Sequence, residues 1–189
     1  TGVYNGNDKK ISNLYINRNS DYQGLFGKIR NAKIHNLFLE YVDITTSNVY
    51  VGALVGYTDS SEIRDVRVSG EIAGDLVVGG ITGYASNYNG PQSQIIRCSA
   101  EVVIEPADIS SDYLGGIVGY ISDSLVSQCF TRVNIKGKYF LGGVVGYSLR
   151  SVIADCQSEG RIDGNYPSAY VGGILGSSQG ITTISDCSS

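Results

Sequence analysis

The stretch GGIVGY at residues 115–120 is spelled again and again along this chain. It returns as GALVGY at 52–57, GGITGY at 79–84, GGVVGY at 142–147 and GGILGS at 172–177, with a clipped form, GLFGK, at 24–28. The last glycine of each copy is Gly27, Gly56, Gly83, Gly119, Gly146 or Gly176, so the steps are 29, 27, 36, 27 and 30 residues. A second phrase keeps the same beat: aliphatic, any residue, polar, then small or apolar. It reads ISNL from Ile11, IHNL from Ile34, IRDV from Ile63, IIRC from Ile95, VSQC from Val126, IADC from Ile153 and ISDC from Ile184. Self-similarity at a fixed period marks stacked repeats. The two phrases together delimit five full units, a shorter first one and a broken last one.

Residues after the second phrase alternate strictly. Cys98, Ala100, Val102 and Ile104 share one parity, against Ser99, Glu101 and Val103; Cys129, Thr131, Val133 and Ile135 repeat the pattern. A period of two means strand, with one face in and one face out. No apolar stripe of helical period runs long enough for a helix. Units of strands and turns without crossover helices predict an all-β parallel β-helix (solenoid), with about six to seven coils of roughly 27–36 residues. At ~4.8 Å per coil the rod is roughly 30 Å long. The polar residue of the second phrase is Asn13, Asn36, Asp65, Arg97, Gln128, Asp155 or Asp186. It should sit at a corner, because the apolar residues on either side of it both face inward. Asn and Asp tolerate the left-handed backbone that such a corner wants.

One β-helical domain is expected over 1–189, with 1–10 as a lead-in and 11–189 as repeats. The chain opens at Thr1 and contains no Met, as expected of a processed chain or a piece of a longer one. Of its 189 residues 42% are hydrophobic and 17% charged, a globular composition. Net charge is −4 with scattered basic residues, so no nucleic-acid footprint is present. No apolar run approaches the ~18 residues of a membrane span.

Stacking turns equivalent positions into columns. Cys98, Cys129, Cys156 and Cys187 share one, which Leu14, Leu37 and Val66 continue in earlier coils. Exchange with Leu and Val reads as buried core, with free Cys acting as a small hydrophobe. The alternative is disulfides between neighbours, which the even count allows. Ser69, Glu101, Arg132 and Glu159 form an outward column whose charges alternate. Leu25, Leu54, Ile81, Ile117, Val144 and Ile174 form an aliphatic column. Tyr57, Tyr84, Tyr120 and Tyr147 close the phrase in four consecutive coils. That row is either a packed ladder covering glycine backbone or a ligand face for sugars or a partner. Insertions fall between the phrases, at 85–94, 105–113 and 165–169.

Catalytic chemistry is hard to find. The single histidine, His35, has no HExxH context, and no nucleophile elbow accompanies it. The glycine phrase lacks both GxGxxG and the GK[ST] ending of a phosphate loop. No zinc-ligand spacing occurs. Glu105, Asp108 and Asp112 form the densest acidic patch, within one insertion. No catalytic residue, cofactor or metal is therefore expected.

The phrases GALVG, GGIVG and GGILG, preceded by I-x-D/Q-C and spaced ~30 apart, resemble GLUG-motif repeats. Residues 2–16, GVYNGNDKKISNLYI, resemble the lead-in of such arrays. The resemblance implies a right-handed parallel β-helix from a secreted or cell-surface bacterial protein, either adhesin-like or the non-catalytic region of an IgA-specific metalloendopeptidase. The protease's zinc motif has no match here. The leading expectation is a non-enzymatic spacer or adhesion module, with a host glycoprotein, glycan or matrix protein as partner. The alternatives are a polysaccharide- or glycoprotein-processing enzyme domain, an accessory domain of a protease, or a rod that self-associates end to end.

Overall fold

The computed structural model describes residues 2–88, 90–106 and 113–189; Asn89 and residues 107–112, with Asp108 and Asp112, lie outside the described residues. Among the described residues every regular element is a strand. The strands stack in parallel as a β-solenoid of about six turns. Each turn has three walls. The first carries long strands: Gly2–Ser12, Ala32–Thr45, Glu62–Gly74, Ser99–Pro106, Phe130–Gly137 and Gln157–Gly164. The second carries short ones: Val51–Gly52, Val77–Gly79, Tyr113–Gly115, Phe140–Gly142 and Tyr170–Gly172. The third stacks Phe26–Arg30, Val55–Asp59, Thr82–Ser86, Val118–Ser122, Val145–Leu149 and Leu175–Gln179.

The repeated glycine phrase wraps the edge between the second and third walls. Its aliphatic residue enters the interior: Leu54, Ile81, Ile117 and Val144 are wholly buried. Full burial of such a side chain stabilises by roughly 1.5–3 kcal/mol. Its glycines are required by space. A Cβ on Gly116 would strike the Gly143 carbonyl oxygen of the next coil, and one on Gly119 would come within 2.8 Å of the Tyr113 carbonyl. Neither residue needs a positive φ. Close approach of backbones, rather than left-handed geometry, selects Gly there.

The second phrase makes the corner expected of it. Asn36, Asp65, Arg97, Gln128, Asp155 and Asp186 all have φ between 51° and 56°. A further left-handed corner leaves the third wall at Asn31, Ser60, Asp123 and Arg150, with φ between 47° and 49°. Serines follow it in three coils. Ser61, Ser124 and Ser151 each donate to the carbonyl two residues back, at 2.7–2.9 Å. Their oxygens in turn accept backbone amides: Ser61 from Ala32 at 3.0 Å, Ser151 from Ser124 at 3.2 Å. Buried amides at the bend are thereby satisfied.

The first coil departs from the expected alignment. Ile11 does not stack on Ile34; Tyr4 does, and Ile11 pairs with Leu39. The corner there is made by Asn7 and Asp8, with φ of 50° and 54°. Asn13 is left-handed, at φ 59°, but it sits in a bulge beside Tyr41, at φ 56°. Leu14 precedes the Tyr15–Asp43 pair and so belongs with Val42, not in the cysteine column, which starts at Leu37. An aliphatic residue followed by a left-handed Asn suits a bulge as well as a corner.

Candidate functional site

The tyrosine row is continuous. Tyr57 pairs with Tyr84, Tyr84 with Tyr120, and Tyr120 with Tyr147. Ring centroids step by 5.2, 4.9 and 5.1 Å, with tilted planes. Strand stacking sets the step, and the tilt avoids a face-to-face sandwich. Lys28 precedes the row and places Nζ 4.4 Å over the Tyr57 ring. A cation over the outermost ring is favourable.

A second aromatic column runs beside it. Tyr22, Tyr50, Tyr113, Phe140 and Tyr170 stand at one position of successive coils, with Val77 in the place between Tyr50 and Tyr113. Tyr22 stacks on Tyr50 at 5.4 Å, Tyr113 on Phe140 at 5.2 Å and Phe140 on Tyr170 at 5.2 Å. The columns meet edge to face, Tyr113 with Tyr120 at 5.4 Å and Phe140 with Tyr147 at 5.3 Å. At the Val77 gap Tyr50 leans across to Tyr84, 5.5 Å away. The column keeps the step of the glycine phrase, but Val77 interrupts it and Phe140 replaces a tyrosine in it. Its signal, an aromatic two residues before the first glycine of the phrase (Tyr50, Tyr113, Phe140, Tyr170), is present.

Enclosure has an electrostatic consequence. Burial, reinforced by the neighbouring Tyr120 and Tyr57 hydroxyls, pushes Tyr84 up to about 12. Burial also raises Tyr50 and Tyr120. Tyr50, Tyr84 and Tyr120 thus stay neutral through the physiological range. The row's hydroxyls are engaged at the ends, Tyr57 with Ser86 Oγ at 3.1 Å and Tyr147 donating to Gln179 Oε1 at 3.1 Å. The wall offers ring edges and hydroxyls.

The cysteine column is regular. Cys98, Cys129, Cys156 and Cys187 are free thiols, and the first three are buried. Each sulfur points at a carbonyl of the preceding coil, on Ile63, Ile95, Val126 and Ile153, at 3.7–3.9 Å. Burial pushes the Cys129 thiol well above its usual range and raises Cys187 as well, whereas the hydrogen bond with Cys129 lowers Cys156. The two raised thiols are poor nucleophiles and poor metal ligands. Among the described residues no three of His, Cys, Asp and Glu converge as metal ligands would.

Among the described residues, Asp59 is the one carboxylate with a wholly buried side chain in an ion pair. Burial alone would raise it. The Tyr88 amide at 2.9 Å, the Ser60 hydroxyl at 3.0 Å and the Arg30 guanidinium at 2.7 Å hold it below the usual carboxylate range. It ties the 85–94 insertion to the frame. His35 lies beside Asn36, 3.2 Å from its amide nitrogen, with no nucleophile among the described residues in hydrogen-bond contact. Glu105 is paired with Lys136 at 2.6 Å. The outward column runs as expected, with Arg132 3.6 Å from Glu101 and 3.1 Å from Glu159.

These columns define a parallel β-solenoid built from one repeated unit. The profile of the family described as the GLUG motif matches residues 47–73, one coil with both phrases. The chain thus carries a GLUG motif in this coil. It is 39% identical over 89 residues to a halomucin of Haloquadratum walsbyi, a match covering 46% of this chain and 1% of that protein. A crystal structure described as an immunoglobulin A1 protease from Bacteroides ovatus superposes with a TM-score of 0.78. That match covers 97% of this chain and 58% of the other at 19% identity, a likeness of fold. The chain thus spans a small part of the one and little more than half of the other.

Proposed function

We propose that this chain is a non-enzymatic β-helical spacer and adhesion module of a secreted or cell-surface protein. The observation that carries this is the filled interior. Among the described residues, Leu54, Ile81, Ile117 and Val144 on one side, and Val66, Cys98, Cys129 and Cys156 on another, fill the interior with packed side chains. Whatever the solenoid does, it does with its outer faces and its loops. The mucin in one relative's name, and the secreted antibody in the structural neighbour's, support an extracellular setting. Fold alone does not carry function, so surface chemistry is the test. Immobilised glycoproteins, matrix proteins and glycans would be presented to the 189-residue chain, and product release followed in parallel. Binding without turnover supports adhesion, and silence throughout leaves a spacer. Cleavage of any of them by the isolated chain overturns the proposal.

A further inference from the structure

We propose that the outer face of the long-strand wall carries a binding groove for a monoanionic acidic sugar. The proposal rests on the adhesion reading above and names its ligand class. The column Lys10, Phe38, Arg67, Ser99, Phe130 runs straight up this wall, one residue per coil. Aromatic rings occupy its second and fifth places. The small Ser99, beside Ser69 of the neighbouring column, leaves a groove of about 370 Å³ between them. That is a ligand-sized volume. Phe38 and Phe130 stand three rungs apart, ~14 Å along the stack, which suits a short oligosaccharide.

The charge pattern selects the ligand. Lys10 is paired with Glu40 at 2.8 Å, and Arg132 bridges Glu101 and Glu159. Arg67 lies 5.2 Å over the Phe38 ring, with no carboxylate partner among the described residues. The groove thus offers one uncompensated guanidinium, oriented by stacking, to one carboxylate. Arg is suited to that geometry. Glu40 and Glu101 in the lining accept hydrogen bonds from sugar hydroxyls and disfavour ligands that carry several negative charges. The Ser99 and Ser69 hydroxyls add a polar floor, and the half-buried Phe130 ring, with the Arg132 guanidinium 5.8 Å from its centroid, adds an apolar edge for a pyranose ring.

The test is calorimetric titration of the 189-residue chain with three probes. These are a trisaccharide of two galactose residues ending in one galacturonate, a sialylated trisaccharide, and the neutral galactose trimer. Binding of either acidic probe with the neutral one at least about tenfold weaker is expected, and which acidic probe wins tells a uronate end from a sialylated end. Arg67→Gln should cost about tenfold to a hundredfold in affinity and Phe130→Ala about tenfold, with Arg67→Lys intermediate. Both side chains lie outside the core, so unchanged thermal melts would show that the frame is intact. Several results would overturn the groove: no acidic probe binding, variants binding as well as the parent, or an acidic peptide of equal charge binding as tightly. Sugar binding that survives both Arg67→Gln and Phe130→Ala overturns the groove and leaves adhesion standing elsewhere. The glycoprotein and matrix panel decides adhesion separately.

Discussion

Arg97 grips Asp65 across one rung of the solenoid, with Nε 2.8 Å and Nη2 2.7 Å from the two carboxylate oxygens. Both residues are left-handed corner residues, at φ 54° for Asp65 and 51° for Arg97. Asp123 and Arg150 repeat the clamp at the other left-handed corner, at 2.8 and 2.7 Å. The pair is half-exposed, so its ionic part adds only modestly to stability. A left-handed residue other than Gly, Asn or Asp costs roughly 1–2 kcal/mol. The two effects nearly cancel at Arg97. Replacing it with Asn should leave urea stability within about 0.5 kcal/mol, whereas Arg97→Val should lose about 1–2 kcal/mol or more. If the two variants lose equally, the ion pair and not the corner governs this position.

The aliphatic column should dominate stability. Ile117→Ala removes a wholly buried side chain between Ile81 and Val144 and should cost about 2–5 kcal/mol. Glu101→Ala trims an exposed side chain whose nearest cation is 3.6 Å away and should change stability by under about 0.5 kcal/mol. Urea melts that rank these two the other way would contradict the inward and outward assignment.

Tyr84 should be the last of the wall tyrosines to ionise. Its pKa is pushed up to about 12 by burial, while an unfolded tyrosine ionises near ~10. The folded state therefore holds a proton that the unfolded state releases. That stability is fully present below pH ~10 and is lost as pH rises toward 12. In an ultraviolet absorbance titration, Tyr84→Phe should remove the latest step. A titration curve unchanged by that substitution would show that Tyr84 is not enclosed.

Asp59 works in the opposite direction. Its pKa is held below the usual value, so its contribution is present above the unfolded pKa of ~3.9 and is lost as pH falls through the lower folded value. Asp59→Asn should be less stable at neutral pH by about 1–3 kcal/mol, because Arg30 loses its partner and the buried site its charge-assisted bonds. The variant should also show a flatter loss of stability below pH ~4. An acid-unfolding profile equal to the parent's would remove Asp59 from the account.

The thiols should react in order of position. Cys187 is half-buried in the last coil, while Cys98, Cys129 and Cys156 are buried. Alkylation of the native chain without reductant should label Cys187 first, and the other three only on unfolding. Mass spectrometry of the unfolded chain should then count four labelled thiols. Fewer than four would mean that neighbours along the column are bridged.

The fold is legible in the sequence because a solenoid writes its geometry into its period. The columns through Ile117, Cys129 and Arg132 can be drawn from spacing alone, as can the left-handed corners at Asp65 and Asp155. The failures have one cause: short polar signals are degenerate. Asn13 marks a left-handed residue, yet bulge and corner share that backbone, so spacing puts Leu14 in the wrong column. The Ser61, Ser124 and Ser151 corner escapes the repeat pattern because its left-handed partner changes identity from Ser60 to Asp123 to Arg150. Val77 interrupts the second aromatic column and Phe140 varies it, so it does not repeat as one residue type. The groove at Arg67 depends on which side chains are small or uncompensated, a property of the assembled surface that no repeat pattern announces.

The central claim is that each repeat is one coil, stacked in parallel register on the next. Methyl-to-methyl nuclear Overhauser contacts test it most directly. Leu114 pairs with Val78 on one side and Leu141 on the other, and Leu141 pairs with Val171. Cross-peaks should appear for Val78–Leu114, Leu114–Leu141 and Leu141–Val171. None should appear for Val78–Val171, three rungs or ~14 Å apart. A Val78–Val171 cross-peak, or the absence of the three neighbour contacts in the folded chain, would contradict the solenoid.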